Sequence, residues 1–238
     1  PPLEDIVLGK KAVQSFSAFT MDDLLGRAAV APDNDLLGKV VDEEVILVTG
    51  SGGSIGGELC LQLAKLKPKK IVLLDISEYG LYQIERKLLN YLNPCEITLQ
   101  LGNVCDASLL EVLQREHRIS VIFHAAAYKH VPLVEKNIIQ AVQNNIFGTL
   151  NLIQFAEKYH IKRFVLISTD KAVRPTNVMG ATKRFCELIL QARADFNGAN
   201  GKTTYSMVRF GNVLGSSGSV VPLFHEQIQS GGPLTLTS

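Results

Sequence analysis

Six short runs of β-branched and other apolar residues recur along the chain, and longer segments with helical periodicity separate them. The runs are Val45–Val48, Ile71–Leu74, Ile97–Leu99, Val121–Phe123, Phe164–Ile167 and Tyr205–Val208. Continuous apolar strands joined by helical crossovers predict a parallel sheet that is covered on both faces, because a hairpin cannot connect parallel neighbours. We therefore expect an α/β fold with a doubly wound parallel sheet.

The segment before the first strand differs from the rest of the chain. Residues 1–43 are mixed in character, with one helix-like apolar cluster at 22–27, and we expect an N-terminal arm there. Residues 44–238 are expected to form one domain, because a chain of 238 residues with 46% apolar residues can bury a sizeable core. Residues 231–238 look like the start of a further strand, so we expect the natural polypeptide to continue.

Charge and cysteine content exclude several classes of protein. The chain has 24 Lys and Arg against 23 Asp and Glu, spread along its length, which argues against a nucleic-acid partner. No run approaches the roughly 18 apolar residues of a membrane span, so no membrane contact is expected from these residues. The four cysteines lack a C-x-x-C pair and a histidine at metal-ligand spacing, which predicts buried, reduced thiols of a cytoplasmic protein and no metal site. They are Cys60, Cys95, Cys105 and Cys186.

A glycine-rich turn directly follows the first strand. The segment TGSGGSIGGEL places Gly50, Gly53 and Gly56 three residues apart at the start of a helix. Such glycines allow backbone N–H groups at the helix N-terminus to approach a pyrophosphate. A P-loop is excluded because Glu58 stands where its lysine would be. Asp75, at the end of the second strand, would accept hydrogen bonds from the adenosine ribose and repel a 2′-phosphate, which favours NAD over NADP.

The T-G-x-x-G-x-x-G motif resembles that of the extended short-chain dehydrogenase/reductases, which have a Rossmann fold. Three further segments are similar to the soluble domain of the membrane-anchored bacterial UDP-N-acetylglucosamine 4,6-dehydratases of polysaccharide biosynthesis. They are HAAAYKHVP at 124–132, STDKAVRPTNVMG at 168–180 and RFGNVLG at 209–215. The resemblance implies NAD as cofactor, a UDP-sugar as substrate and a homo-oligomer. It also implies a full-length protein anchored at the cytoplasmic face of the inner membrane, with a sugar-binding portion that begins near residue 211 and is truncated here.

The resemblance also implies contacts for individual residues. The cofactor contacts would come from Gly50, Ser51, Gly52, Gly53, Ser54, Ile55, Asp75, Ile76, Ser77, Asn103, Val104, Ala125, Ala126, Ala127 and Lys183. Lys129, Asn212 and Val220 fall where relatives contact the nucleotide sugar. Asn103 departs from the family, in which Asp is usual, so a hydrogen bond from the adenine amino group would rest on an amide oxygen.

Dehydration requires oxidation at C4 of the hexose, removal of the C5 proton and protonation of O6. The resemblance assigns Asp170 as acid and Lys171 as base, at the carboxyl end of the fifth strand. An ion pair would stabilise both charges, whereas elimination needs a protonated carboxyl and a neutral amine, so we expect their titrations to be coupled.

The superfamily's Tyr-x-x-x-Lys motif occurs here as Met179 and Lys183. Lys183 can hydrogen-bond the nicotinamide ribose, but a thioether cannot relay a proton. Our hypothesis is that Thr169, or water held by Thr169 and Lys183, passes the 4-hydroxyl proton to Asp170. Met179 would then be catalytic or would only make an apolar contact with the sugar or the nicotinamide.

Two other functions stay open. A nucleotide-sugar 4-epimerase or oxidoreductase would need hydride transfer at C4 but no acid–base pair at C5 and C6. A catalytically silent NAD-binding protein is suggested by the missing tyrosine. His124 and His130 lie at opposite ends of one strand-to-helix turn, and we expect them to serve packing or to face solvent.

Overall fold

A computed structural model describes residues 33–90, 95–197, 201–213 and 220–235. Its six strands form one sheet in the order β3-β2-β1-β4-β5-β6, and all neighbouring strands are parallel. The strands are β1 (Val45–Thr49), β2 (Lys70–Asp75), β3 (Glu96–Leu101), β4 (Val121–His124), β5 (Arg163–Thr169) and β6 (Thr204–Phe210). The predicted doubly wound parallel sheet is confirmed, and each strand overlaps a predicted apolar run.

Helices connect the strands and flank the sheet. The described α-helices are α1 (Asn34–Val41), α2 (Ser54–Lys65), α3 (Glu78–Leu88), α4 (Ala107–His117), α5 (Val131–Lys136), α6 (Ile138–Ala141), α7 (Gly148–Lys158), α8 (Val178–Asn197) and α9 (Val220–Gln229). A π-helical turn at Val142–Phe147 joins α6 to α7, and a 3₁₀ turn at Asp170–Ala172 follows β5.

The strand order reverses direction at β1. From there the chain proceeds to β2 and β3 on one side, and then returns to β4, β5 and β6 on the other. The connections therefore diverge at the carboxyl ends of β1 and β4, which is where open α/β sheets form their ligand-binding crevice. Thr49 and His124, the last residues of these strands, face each other in register.

Two hydrophobic clusters form the core. Alternate residues of β1 divide between them, with Leu47 in one cluster and Ile46 and Val48 in the other. This alternation follows from the two-residue period of a strand whose faces are both covered. Val41 of α1 is also buried in the second cluster, so the described end of the segment expected to be an arm packs against this core.

The cysteines, the C-terminal residues and the helix lengths bear on the sequence-based predictions. Cys60 and Cys186 are buried as predicted, but Cys95 is half-buried and Cys105 is exposed, because Cys105 lies in the surface loop after β3. Residues 232–235 adopt no regular structure; 236–238, through which the expected strand would continue, and the apolar cluster at 22–27 lie outside the described residues. Across the ranges that the structure describes, every helix is too short or too polar to traverse a bilayer.

Phe164 provides a test of this core. Its side chain is fully buried, with ring centroids 6.2 Å from His124 and 5.9 Å from Tyr205. We expect Phe164→Ala to lower the free energy of unfolding in urea by about 3–5 kcal/mol, because it leaves a cavity in a close-packed interior. The control is Phe196→Ala, since Phe196 is 84% exposed and its loss should change stability by no more than about 0.5 kcal/mol. Equal losses in the two variants would contradict this assignment of the core.

Candidate functional site

One cleft lies along the carboxyl ends of β1 to β4. It is lined by thirteen of the residues that the sequence assigned to the cofactor: Gly50, Gly52, Gly53, Ser54, Ile55, Asp75, Ile76, Ser77, Asn103, Val104, Ala125, Ala126 and Ala127. Lys129, predicted to contact the sugar, lines the same cleft. Tyr128 and Asn144 also line it, and the sequence analysis did not identify them.

Glycine is required at several positions of the turn, for a different structural reason at each. Gly50 has φ +69°, and a Cβ there would lie 2.6 Å from the backbone N of Ala126. A Cβ at Gly52 would lie 2.7 Å from Cα of Gly80, and one at Gly56 would overlap the carbonyl of Gly50. The internal packing of the turn therefore requires glycine at these three positions.

Gly53 differs from the other glycines. It is exposed, and a Cβ there would meet only the carbonyl oxygen of Gly50, at 3.3 Å. It is the N-cap residue of α2 with an extended conformation, and it offers no side-chain oxygen to the helix. The N–H groups of the first turn thus lack a side-chain cap and can serve an anion in the cleft.

Asp75 is held between the glycine turn and the end of β2. Its Oδ2 accepts a hydrogen bond from the N–H of Gly52 at 2.8 Å, and its Oδ1 accepts one from the N–H of Ser77 at 2.8 Å. The Ser77 hydroxyl in turn caps α3 by accepting from Gly80 N–H at 3.0 Å. The carboxylate is thereby oriented beside the phosphate-binding turn, with lone pairs left for ribose hydroxyls.

Asn103 and Ser51, two other predicted cofactor contacts, differ in their hydrogen bonding. The amide oxygen of Asn103 accepts from Cys105 N–H at 2.9 Å, so only its second lone pair is left for an adenine amino group. The Ser51 hydroxyl is buried and has no hydrogen-bond partner within the described part of the chain. An orphaned hydroxyl in this turn is consistent with a missing polar ligand.

The predicted acid and base lie together at the carboxyl end of β5. Lys171 Nζ is 3.3 Å from Asp170 Oδ1 and donates to Asn212 Oδ1 at 2.9 Å. The Thr169 hydroxyl donates to Asp170 Oδ1 at 2.9 Å. This hydrogen bond and the Lys171 ammonium lower the pKa of Asp170 below its ordinary value, although burial acts in the opposite direction. The resting site is therefore the ion pair that the sequence analysis anticipated.

Lys183 and Met179 occupy the first turns of α8. Lys183 is buried, and its Nζ donates to the carbonyl of Ile167 at 2.8 Å; burial lowers its pKa. Met179 is 5% exposed and packs in a cluster with Val134 and Ala141. The thioether thus makes an apolar contact within the protein, between α8 and the helices that follow β4.

Lys129 and Val220 lie in different parts of the fold. Lys129 is exposed in the loop after β4, and Val220 begins α9.

His124 is buried in a hydrogen-bonded chain rather than packed among apolar groups alone. Its Nδ1 lies 2.7 Å from the Thr49 hydroxyl and its Nε2 lies 2.9 Å from the Thr149 hydroxyl. Thr149 donates its proton to the carbonyl of Asn145, so Nε2 must carry the hydrogen and Nδ1 must accept from Thr49. Burial, together with the charge of Lys183, lowers the pKa of His124 to about 3.

Asn145 in the π-helical turn is a junction that sequence reasoning missed. Its side-chain amide accepts from Tyr128 N–H at 2.8 Å and donates to Tyr128 O at 3.1 Å and to the Thr182 hydroxyl at 3.0 Å. Asn145 therefore holds the loop that contains Lys129 against helix α8. The available signal was a pair of asparagines inside an apolar helical segment, a pattern typical of a buried polar network.

Comparison with known proteins indicates a family. The sequence model of the family described as "Polysaccharide biosynthesis protein" matches residues 46–238. Capsular polysaccharide biosynthesis protein CapD of Staphylococcus aureus is 45% identical over 238 residues, which are all of this chain and 39% of that protein.

Two further relatives carry names of specific enzymes. A UDP-N-acetylglucosamine 4,6-dehydratase (inverting) of Campylobacter jejuni is 35% identical over 196 residues, 81% of this chain and 57% of that protein. A UDP-glucose 4-epimerase of Rickettsia rickettsii is 32% identical over 199 residues, 82% of this chain and 56% of that protein. The chain thus spans between two fifths and three fifths of the length of these relatives.

Solved structures share the fold. Pen from Bacillus thuringiensis superposes with a TM-score of 0.77 at 33% identity, covering 83% of this chain and 61% of that one. The UDP-glucose 4-epimerase of Thermus thermophilus in complex with NAD has a TM-score of 0.67 at 23% identity, covering 81% of this chain and 65% of that one. The second likeness supports the fold alone.

A substitution at Gly53 should weaken cofactor binding with little effect on the stability of the fold. The sequence predicts that the cleft holds NAD, and we expect Gly53→Ala to raise the dissociation constant for NAD⁺, measured by titration calorimetry, by about tenfold or more. The reason is that the added methyl group would occupy space beside the helix N-terminus. The free energy of unfolding should change by less than about 1 kcal/mol. Gly38→Ala in α1, where a Cβ meets no atom within 4 Å, should leave the dissociation constant unchanged and raise the free energy of unfolding by about 0.5–1 kcal/mol, because alanine favours the helix.

The buried imidazole predicts a dependence of stability on pH. The unfolded chain protonates a histidine below pH of about 6.5, whereas His124 in the folded chain stays neutral down to about 3. Stability should therefore fall as the pH is lowered from about 6.5, by up to about 1.4 kcal/mol per pH unit from this residue. In urea unfolding at about pH 7, 6 and 5, His124→Gln should lose less stability on acidification than the unsubstituted chain. His160→Gln, an exposed control, should retain the original slope.

Proposed function

The chain belongs to the polysaccharide biosynthesis protein family, and from this premise we propose that it is an NAD-dependent 4,6-dehydratase of a UDP-sugar, with UDP-N-acetylglucosamine as the first candidate. The observation that carries the proposal is the cluster of Asp170, Lys171 and Asn212 at the end of β5, on the side of the sheet that also carries the dinucleotide cleft. The named dehydratase of Campylobacter jejuni supports the same reaction.

NAD is the cofactor in this proposal. When bound, it would accept the hydride of C4 and return it at C6. Several features of the cleft fit such a group. The uncapped N-terminus of α2 fits the pyrophosphate, and the Asp75 carboxylate fits the ribose hydroxyls. The buried amine of Lys183, four residues beyond Met179 on α8, would hydrogen-bond the nicotinamide ribose.

Lys171 would remove the C5 proton and Asp170 would protonate O6. The ion pair holds one transferable proton on nitrogen, whereas the elimination needs that proton on the carboxyl group. Both side chains are partly exposed, so a bound sugar would exclude water from them and disfavour the charged forms. A neutral amine and a neutral acid have the same total proton count as the ion pair, so this shift needs no proton from solvent.

Thr169 and Asn212 would orient the pair. The Thr169 hydroxyl donates to the same Asp170 oxygen that faces Lys171, so it contacts the atom that must gain a proton. Its position supports the hypothesis that Thr169 passes the 4-hydroxyl proton to Asp170. On that route the sugar supplies the Asp170 proton, and the Lys171 ammonium would release its own proton to water before it acts as base. Asn212 accepts from Lys171 Nζ, and this contact would hold the amine towards the segment that follows β6.

A 4-epimerase is the second candidate. The Rickettsia relative named UDP-glucose 4-epimerase favours it. An epimerase would use the same cleft for hydride transfer but would leave Asp170 and Lys171 without a role at C5 and C6.

The proposal also includes membrane anchoring and the oligomeric state of the whole protein. The 195-residue match, 48% identical, to an uncharacterized membrane protein of Methanocaldococcus jannaschii supports an anchored full-length protein. The position of this domain on the cytoplasmic side stays a prediction from the sequence. The homo-oligomer implied by the sequence stays a prediction.

The reaction can be tested with UDP-N-acetylglucosamine and NAD⁺ in deuterated water, using the longest natural polypeptide that contains this chain. We expect the product to lose one water by mass spectrometry and to carry deuterium at C5, because the base exchanges its proton with solvent. Asp170→Asn should abolish water loss, because O6 then lacks its acid, and it should also slow the appearance of NADH absorbance, because the carboxylate is the proposed acceptor of the 4-hydroxyl proton. Asp195→Asn, an exposed change on α8, is the matched control and should react normally. An isomerised sugar with no deuterium would identify the epimerase instead.

A further inference from the structure

Glu187 on α8 is a fully buried carboxylate with four hydrogen bonds. Its Oε1 accepts from the Ser168 hydroxyl at 2.6 Å and from Arg209 Nε at 2.7 Å. Its Oε2 accepts from Arg209 Nη2 at 2.6 Å and from Arg184 Nη1 at 3.0 Å. The side chain thus joins the helix to two neighbouring strands, and none of its contacts is with a cofactor or sugar position.

The two strand residues that Glu187 holds lie just before the proposed catalytic cluster. Ser168 on β5 and Arg209 on β6 face each other in register. Ser168 is followed directly by Thr169, and Arg209 precedes Asn212 by three residues. The alignment of these strand ends affects whether Lys171, in the turn after β5, can reach Asn212, in the segment after β6.

We propose that Glu187 is a positioning residue that sets the separation of the β5 and β6 ends and thereby keeps Lys171 Nζ in contact with Asn212. The geometric part of this inference stands on the contacts above. Its consequence for turnover rests on the proposed dehydratase function.

The charge of Glu187 is needed for this role. Burial alone would raise its pKa, but hydrogen bonds from Arg209, Ser168 and Arg184 outweigh burial and lower the pKa to about 2. The group is therefore ionised at neutral pH and compensates the two guanidinium groups that it contacts. A glutamine of the same shape would direct an N–H₂ donor at a guanidinium donor, which would push the β6 end away.

The site has little tolerance for such a displacement. A Cβ on Gly211, the residue between Phe210 and Asn212, would lie 3.3 Å from Asp170 Oδ2. The backbone after β6 therefore approaches the Asp170 carboxylate closely. A shift of this backbone would change the surroundings of both members of the ion pair.

The test measures Lys171 directly in the folded, NAD-saturated chain. Trace acetylation with acetic anhydride, quantified by mass spectrometry, reports the reactivity of Lys171 relative to exposed Lys69 at the opposite end of the sheet. We expect Glu187→Gln to raise this ratio roughly three- to tenfold, the factor that corresponds to the loss of one hydrogen bond. An unchanged ratio in the folded variant would overturn the proposal.

Glu44→Gln is the matched control. Glu44, which precedes β1, is also buried and accepts from Lys162 Nζ at 2.7 Å. It lies 3.8 Å from Arg163, which begins β5 at the end opposite to Ser168. The substitution breaks a comparable ion pair and should lower the thermal unfolding temperature, but it should leave the Lys171 ratio unchanged. An equal rise in both variants would mean that Glu187 acts only on overall stability.

A second variant, Ser168→Ala, and a measurement of turnover complete the test. If Glu187→Gln does not fold, Ser168→Ala removes only one of the four hydrogen bonds and should raise the ratio in the same direction by a smaller factor; no rise would overturn the proposal. Turnover of UDP-N-acetylglucosamine is measured in parallel, and kcat is expected to fall more than tenfold in Glu187→Gln while the affinity for NAD⁺ is retained. A changed labelling ratio without dehydration by the unsubstituted protein would reject the proposed function and leave the positioning role intact.

Discussion

The hydrogen bond between Thr49 and His124 joins β1 and β4 where the chain reverses its direction across the sheet. The glycine turn can approach the backbone after β4 only because these two strand ends are held side by side. Gly50 lies so close to Ala126 that a side chain would not fit between them. The cleft that holds the predicted cofactor contacts begins at this junction, where backbone pairing and the Thr49–His124 hydrogen bond both hold the two strand ends.

The two halves of the site are stabilised by different chemistry. The side next to the glycine turn combines one carboxylate, that of Asp75, with neutral buried groups, because burial keeps His124 neutral and Asn145 acts through a side-chain amide. The side at β5 and β6 uses charges, with Glu187 compensating Arg209 beneath the Asp170–Lys171 pair. The neutral hydrogen bonds satisfy buried polar atoms without adding a net charge near the pyrophosphate position, whereas the ion-paired frame holds charged groups at fixed distances.

The parts of the fold that could be predicted from sequence are those encoded locally. The strands follow from apolar runs, the phosphate turn from glycine spacing, and the placement of Asp170 and Lys171 from the end of a strand. The two asparagines in an apolar helical segment signal a buried polar network, but the partners of Asn145, and the strand partners of Glu187, could not be identified in this way, because only the folded topology brings them together. The exposure of Cys105 was missed for a different reason, since composition alone cannot distinguish a loop thiol from a buried one.

The catalytic pair differs from its supports in exposure, and this difference has a chemical consequence. Lys183 and Glu187 are buried and keep one set of partners, whereas Asp170 and Lys171 remain in contact with water. A bound sugar can therefore change the solvation of the pair without disturbing the residues that position it. Because water stabilises the charged forms, a bound sugar that excludes water would favour the neutral forms in the proposed mechanism, while the buried residues beneath the pair would still hold it in position.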